Sequence, residues 1–402
     1  MIMKKLIAIS VVFALVVGTA FAVDVSGAVI GTVNVLQGDS GEDSKVNSSA
    51  EMNRVRLEGS GGDEEGIFGG WVRVEGFDTA VKKGDLTDKG WEGDAIRFFS
   101  AHGYAWWKPI DQFKLLIGGN PDGFFGKEGF TGWMFYQTPA DTGVVNPGNT
   151  WGGSYLAGDT VIFRHAFYGG EGGEGALLTI SPMDIVDINI VLPFFTYGVG
   201  DSGWGQKEFK ETGDVFKALT AQVDLKFDFG NIALTYTGDI TDTNDDGKTD
   251  TNGKAYVYFN LGAVENLSLD VGVGLTLPGD VEGQPIAAGL GLKYNINDAF
   301  GIKFRTVASF GGDDKAFRLL ADVLPFYAIN DSVTAFLSGG LGMIAPDEGD
   351  STIGFHLNPY VQVGSEWGPK FLAGFRLWSD GSKAGDDAIV NWAVPIAISV
   401  GF

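Results

Sequence analysis

The chain has 402 residues, with 62 glycines, 30 phenylalanines, 13 prolines and no cysteine. A hydrophobic share of 44% excludes a disordered chain, glycine at about twice the usual share excludes a mainly helical one, and the lack of cysteine excludes disulfide frameworks and thiolate metal sites. The formal charge of −23 excludes a protein that grips nucleic acid through its phosphates.

The chain opens MIMKKLIAISVVFALVVGTAFA. Lys4 and Lys5 form a positive n-region, residues 6–17 an apolar core, and Ala20, Phe21 and Ala22 a small-x-small cleavage site, so residues 1–22 read as a cleaved secretory signal. The apolar run is shorter than the roughly 20 residues a spanning helix needs. Later in the chain the best candidate, 388–402, is uncharged but interrupted by Asn391 and Pro395. If this chain lies in a membrane it therefore crosses as strands. Residues 23–402 read as a single domain.

Alternation of apolar and small or polar residues, the signature of a sheet with two unlike faces, predicts five strands before residue 120, near 24–36, 51–59, 66–76, 95–107 and 112–119. The segment 120–175 resists this reading, with 161–168 the one strand-like stretch in it. From residue 176 onward the alternation predicts thirteen more strands. It runs through Val223, Leu225 and Phe227, and through Leu267, Leu269, Val271, Val273, Leu275 and Leu277. It continues through Leu290, Leu292, Tyr294 and Ile296, then Phe300, Ile302 and Phe304, and closes with Val394, Ile396, Ile398, Val400 and Phe402. Short connections at 228–231, 264–267, 295–298, 329–331 and 365–368 take turns with longer acidic ones at 239–253, 278–285, 311–315, 346–351 and 379–387.

A soluble sandwich and a membrane barrel both alternate. Strands of about 9 to 13 residues fit a tilted membrane crossing better than the common soluble strand of about 5 to 6. The short and long connections match the two rims of an outer-membrane barrel. The expected fold is an all-β transmembrane antiparallel β-barrel of about 18 strands, bracketed by 16 and 20. Trp106, Trp107, Trp133, Trp367, Trp378 and Trp392 lie near predicted strand ends, as residues of an interfacial girdle would, with ordinary core packing the alternative for each.

The chain resembles bacterial outer-membrane porins. Its leader and its Gly-rich strands with Asn-Asp turns look most like the porin-type outer-membrane proteins of spirochaetes. In that family the last strand ends in an aromatic residue preceded by alternating apolar ones, which the barrel-assembly machinery recognises. Ile398, Val400 and Phe402 match this signal, with Val400 standing where a second aromatic is common. The resemblance implies export by the general secretory route, residence in the outer membrane of a diderm bacterium among its lipids, and homotrimers. It also implies passive diffusion of small hydrophilic solutes and ions, with no enzymatic step and no resident cofactor. Two rivals remain: a surface adhesin or structural barrel with a closed lumen, and a secreted all-β carbohydrate-binding protein.

Residues in phase with the polar face should line the pore, among them Arg54, Arg56, Arg73, Arg97, Lys303 and Arg305, with Glu58, Glu75, Asp224, Asp228 and Asp270 as acidic wall residues. The long segment 120–159 resembles in position the third loop of general porins, which folds inward as a constriction. Asp122, Glu128 and Asp141 would then face the arginines and set a transverse field. Asp242, Asn244, Asp246, Lys248 and Asp250 fall in a stretch that carries the first half of a calcium loop, with Gly247 at the sharp turn. Gly253 stands where the bidentate acid belongs, so the readings are a weak Ca²⁺ site or an acidic turn. His102, His165 and His356 are dispersed, and neither a G-x-S-x-G elbow nor a P-loop is present.

Overall fold

The computed structural model describes residues 22–40, 46–81, 98–119, 174–193, 196–200, 203–207, 213–241, 250–277, 286–311, 316–364, 369–379, 383–384 and 387–401. In chain order the elements are β1 (Ala22–Asp39), β2 (Asn47–Gly62), β3 (Phe68–Val81), β4 (Phe98–Ile110), β5 (Phe113–Gly119), β6 (Glu174–Met183), β7 (Val186–Pro193), β8 (Thr196–Gly200) and β9 (Gly203–Lys207). A short helix α1 (Asp214–Lys217) follows. The chain continues with β10 (Thr220–Phe227), β11 (Gly230–Thr241), β12 (Asp250–Leu261), β13 (Leu267–Leu277), β14 (Ile286–Asn295), β15 (Phe300–Gly311), β16 (Ala316–Asn330), β17 (Val333–Ala345) and β18 (Thr352–Gly364). The last elements are β19 (Lys370–Gly374), β20 (Arg376–Ser379), β21 (Lys383–Ala384), β22 (Asp387–Ala388) and β23 (Asn391–Gly401).

Each wall strand pairs antiparallel with its neighbours in sequence, and β1 pairs with both β2 and β23, so the sheet closes on itself. β19 and β20 are two parts of one wall strand interrupted at Phe375, which makes an 18-strand barrel. Pro395, on the neighbouring strand, accounts for the irregularity there. It has no N–H to give to the ladder, β1 bulges between Asn34 and Leu36 beside it, and on the other side the pairing to β19 ends at Ala373↔Ile396. β8 with β9 and β21 with β22 form small hairpins outside the wall, in connections where alternation predicts no element.

The pattern of burial is inside out relative to a soluble sandwich. Leu341 and Ile353 are 59% and 58% exposed, whereas Ser338 and His356 on the same strands are 4% and 3% exposed. Apolar residues thus face outward as a lipid-facing band, and polar residues face the interior. Among the described residues no helix is long and apolar enough to cross a membrane. Two apolar clusters do occupy the inner face. One joins Leu324, Tyr360, Leu372 and Ala397 with Phe336, and the other joins Leu116, Leu177 and Val191 with Tyr104 and Trp106.

The short turns gather at one rim and follow ordinary turn chemistry. Asn297 Oδ1 accepts from the backbone N–H of Ala299 and Phe300 at 2.9 and 2.8 Å, and Asn330 Oδ1 accepts from Ser332 N–H at 2.9 Å. Asp228 belongs to this rim and not to the wall: β10 ends at Phe227 and β11 starts at Gly230, which leaves Asp228 and Phe229 as the turn. Phe227 and Phe229 stack there at 5.0 Å, an exposed aromatic pair at the level of an interface.

Candidate pore lining

The inner wall is organised by charge and hydrogen bonding in three patches. On β2 and β3 the outward Val55, Leu57, Val72 and Val74 place Arg56, Glu58 and Arg73 inward. Glu58 takes two arginines: its Oε1 lies 2.5 Å from Arg73 Nε and 3.4 Å from Arg56 Nη1. Arg73 also lies over the Trp71 ring, 4.9 Å from its centroid, so its guanidinium is fixed on two sides.

On β6, β7, β10 and β11 a polar ladder crosses the wall. Thr179 Oγ1 donates to Asn189 Oδ1 at 2.7 Å, Asn189 Nδ2 to Asp224 Oδ2 at 2.8 Å, Gln222 Nε2 to Asp224 Oδ1 at 2.7 Å, and Thr235 Oγ1 to Gln222 Oε1 at 2.8 Å. Lys226 pairs with Asp187 at 2.6 Å. Further round, Asn260 Nδ2 donates to the fully buried Asp270 at 2.6 Å. Buried polar groups held in this way make this stretch of the wall hydrophilic.

On β16, β17 and β18 a serine, a histidine and an aspartate meet. Ser338 Oγ lies 3.2 Å from His356 Nε2, and Asp322 Oδ1 lies 3.8 Å from the same nitrogen. A nucleophilic relay needs the hydroxyl and the carboxylate on opposite ring nitrogens. Here both sit at Nε2, and all three residues are buried, so the group is a wall cluster. Gly340 lies between the aspartate and the histidine in the register, and a Cβ there would overlap Asp322 Oδ1 and His356 Cε1.

Of the residues singled out in the sequence, Arg56, Arg73 and Lys303 lie on the inner face. Lys303 lies 5.8 Å from the Phe326 ring centroid. Arg54 and Arg305 occupy backbone positions in phase with them, opposite Phe77 on β3 and Asp322 on β16. Ile398 and Val400 face outward on β23. Arg97, Asp122, Glu128, Asp141, Asp242, Asn244, Asp246, Lys248, Phe402, Trp133 and Trp367 lie outside the described residues, and Asp250 begins β12. Among the described residues no three His, Cys, Asp or Glu side chains gather as a metal site.

For two of the tryptophans near strand ends the structure favours packing on the inner face over the girdle. Trp106 and Trp378 point into the lumen, because Trp107 is outward and alternation reverses its neighbour, while Trp378 pairs in register with the inward His356. The aromatic column that Trp106 forms with Trp71 and Tyr104 was readable in the sequence only as phase: 104 and 106 share a face, as do 71 and 73. At the rim, the exposed Asp111 has its carboxyl held below the usual range by the Lys108 ammonium at 2.8 Å.

No family model matches the chain, and no curated protein matches its sequence. Among solved structures the fold is similar to Salmonella typhi OmpF in complex with daunomycin, at 11% identity and TM-score 0.51, over 95% of this chain and 98% of that one. It is also similar to Acinetobacter baumannii OccAB3, at 10% identity and TM-score 0.50, over 94% of this chain and 99% of that one. Both are bacterial outer-membrane porins.

Proposed function

We propose that the chain is an outer-membrane porin that passes small hydrophilic solutes and ions by diffusion, with no chemical step. The observation that carries this reading is the inversion of the barrel: an apolar exterior closes around an inner wall of paired charges and hydrogen-bonded amides. A polar lumen inside a lipid-compatible shell is the architecture of a conduit. The fold neighbours support the same reading.

Insertion in a diderm outer membrane after secretory export, assembly through the Ile398, Val400 and Phe402 signal, and association into homotrimers belong to this proposal. A spirochaete source is part of the same proposal and rests on the resemblance of the leader and the Asn-Asp turns alone. The segment 242–253, whose last four residues begin β12, is proposed as a weak Ca²⁺ site of no catalytic role, for which calorimetry at millimolar Ca²⁺ is the check. The function itself is tested by reconstituting the refolded, heat-modifiable protein in a planar bilayer. Discrete ohmic conductance steps are expected, and a properly folded barrel that gives none would refute the reading.

A further inference from the structure

We infer that the wall carries a hinge. A single rung of interrupted pairing runs from β16 to β1 past Pro325, Pro359 and Pro395, and the parts of β16, β17, β18 and β20 that lead to the long connections swing about it. The hinge belongs to the wall itself, goes beyond the porin reading and does not depend on conduction.

The rung follows from the register. Pro325 stands opposite Leu337, Leu337 opposite Pro359, Pro359 opposite Phe375, and Phe375 opposite Val394, the neighbour of Pro395. Proline has no N–H for the ladder, and the pairing lapses beside each one. Between β16 and β17 it stops at Val323↔Gly339 and resumes at Phe326↔Phe336. Between β18 and the next wall strand it lapses from Leu357↔Leu377 to Tyr360↔Gly374, and one bond crosses the gap, from Phe375 N–H to the Pro359 carbonyl at 3.0 Å. Between that strand and β23 it lapses from Ala373↔Ile396 to Arg376↔Ala393, and β1 bulges between Asn34 and Leu36. The ladders that join β10 through β15 have no such break.

The two sides of the rung are held differently. Toward the short turns Phe336 and Tyr360 stack at 4.6 Å with 3° between planes, beside Leu372 and Ala397, and Leu324 reaches this cluster from across the rung. Packing fixes that side. Toward the long connections the inner face carries Asp322, Ser338, His356 and Asn358. Asn358 is fully buried, yet neither its amide nitrogen nor its amide oxygen makes a hydrogen bond. A buried amide in that state raises the free energy of the position the wall now holds. Swinging this side away from the packed one opens Asn358 to lumen water, which satisfies it. The rung supplies the axis of the motion and the amide its drive.

Hydrogen exchange of the refolded full-length protein in detergent, read by mass spectrometry, tests the hinge. The backbone amides of 338–343 and 353–358 are expected to exchange about tenfold faster than those of 270–275 and 251–256, which lie as far from their own strand ends in unbroken ladders. In P325V/P359V/P395V, which returns three N–H donors to the strands, that excess is expected to disappear. In N358L, which removes the unpaired amide, it is expected to shrink. Heat-modifiable mobility confirms that each variant folds, and N358L decides the matter if the triple variant does not. Equal protection of the two sets in the wild type overturns the inference, as does an excess that persists unchanged in either folded variant.

Discussion

Gly340 shows how one residue sets a patch of wall. Asp322 and His356 close over the space that a side chain at 340 would fill, so Gly340→Val forces both away from their partners. Overpacking of this kind costs about 1–3 kcal/mol. Urea unfolding of the refolded barrel should show that loss, and an unchanged midpoint would show that the cluster is not packed as described. At the rim, the Lys108 partner depresses the Asp111 carboxyl below its unfolded value, so the pair stabilises the fold above the unfolded pKa and ceases to as pH falls through the folded one. Asp111→Asn should therefore alter thermal stability only above about pH 4. The effect should fade in high salt because both groups are exposed; a difference that persists in acid would contradict the pairing. The limits of sequence reading also appear at this scale. Trp106 and Trp107 are adjacent and chemically alike, and proximity to a strand end suggested one role for both, yet the period of two sends them to opposite faces.

Among the elements, those with one lipid face and one lumen face were the most legible, because each strand must alternate to satisfy both environments. The five predicted strands before residue 120 correspond to β1–β5, and the later wall strands fall where Val223–Phe227, Leu267–Leu277 and Leu290–Tyr294 alternate. Short turns at Asn297 and Asn330 were legible for the same local reason: their side chains cap the backbone they interrupt. By contrast β8, β9, α1, β21 and β22 lie in connections that face no such pair of environments, and no periodicity announces them. The cross-strand meetings of Glu58 with Arg73 and of Ser338 with His356 depend on register, which the alternation alone leaves open. The lipid-facing assignment predicts that Leu341→Arg costs about 2–4 kcal/mol if the site lies near the bilayer midplane. Folding yield into phospholipid vesicles should fall accordingly, whereas Ala335→Ser near the turn should fold normally. Equal yields for Leu341→Arg and the wild type would mean that this face does not meet lipid.

For the whole molecule, the total charge of −23 was silent until the charges were placed. On the described inner wall Glu58 meets two arginines and Asp187 meets Lys226, while in the sequence an acidic excess falls in the longer connections at 239–253, 278–285, 311–315, 346–351 and 379–387. Such an excess attracts cations over about one Debye length, ~10 Å at 0.1 M salt. Reversal potentials across a salt gradient should show a modest cation preference that weakens as salt rises, and clear anion selectivity would contradict this distribution. The central claim is that the closed barrel encloses an open aqueous path. Single-channel recording of the folded protein in a planar bilayer tests it most directly: the account predicts uniform, ohmic conductance steps, and a heat-modifiable, correctly inserted barrel that carries no current would contradict it.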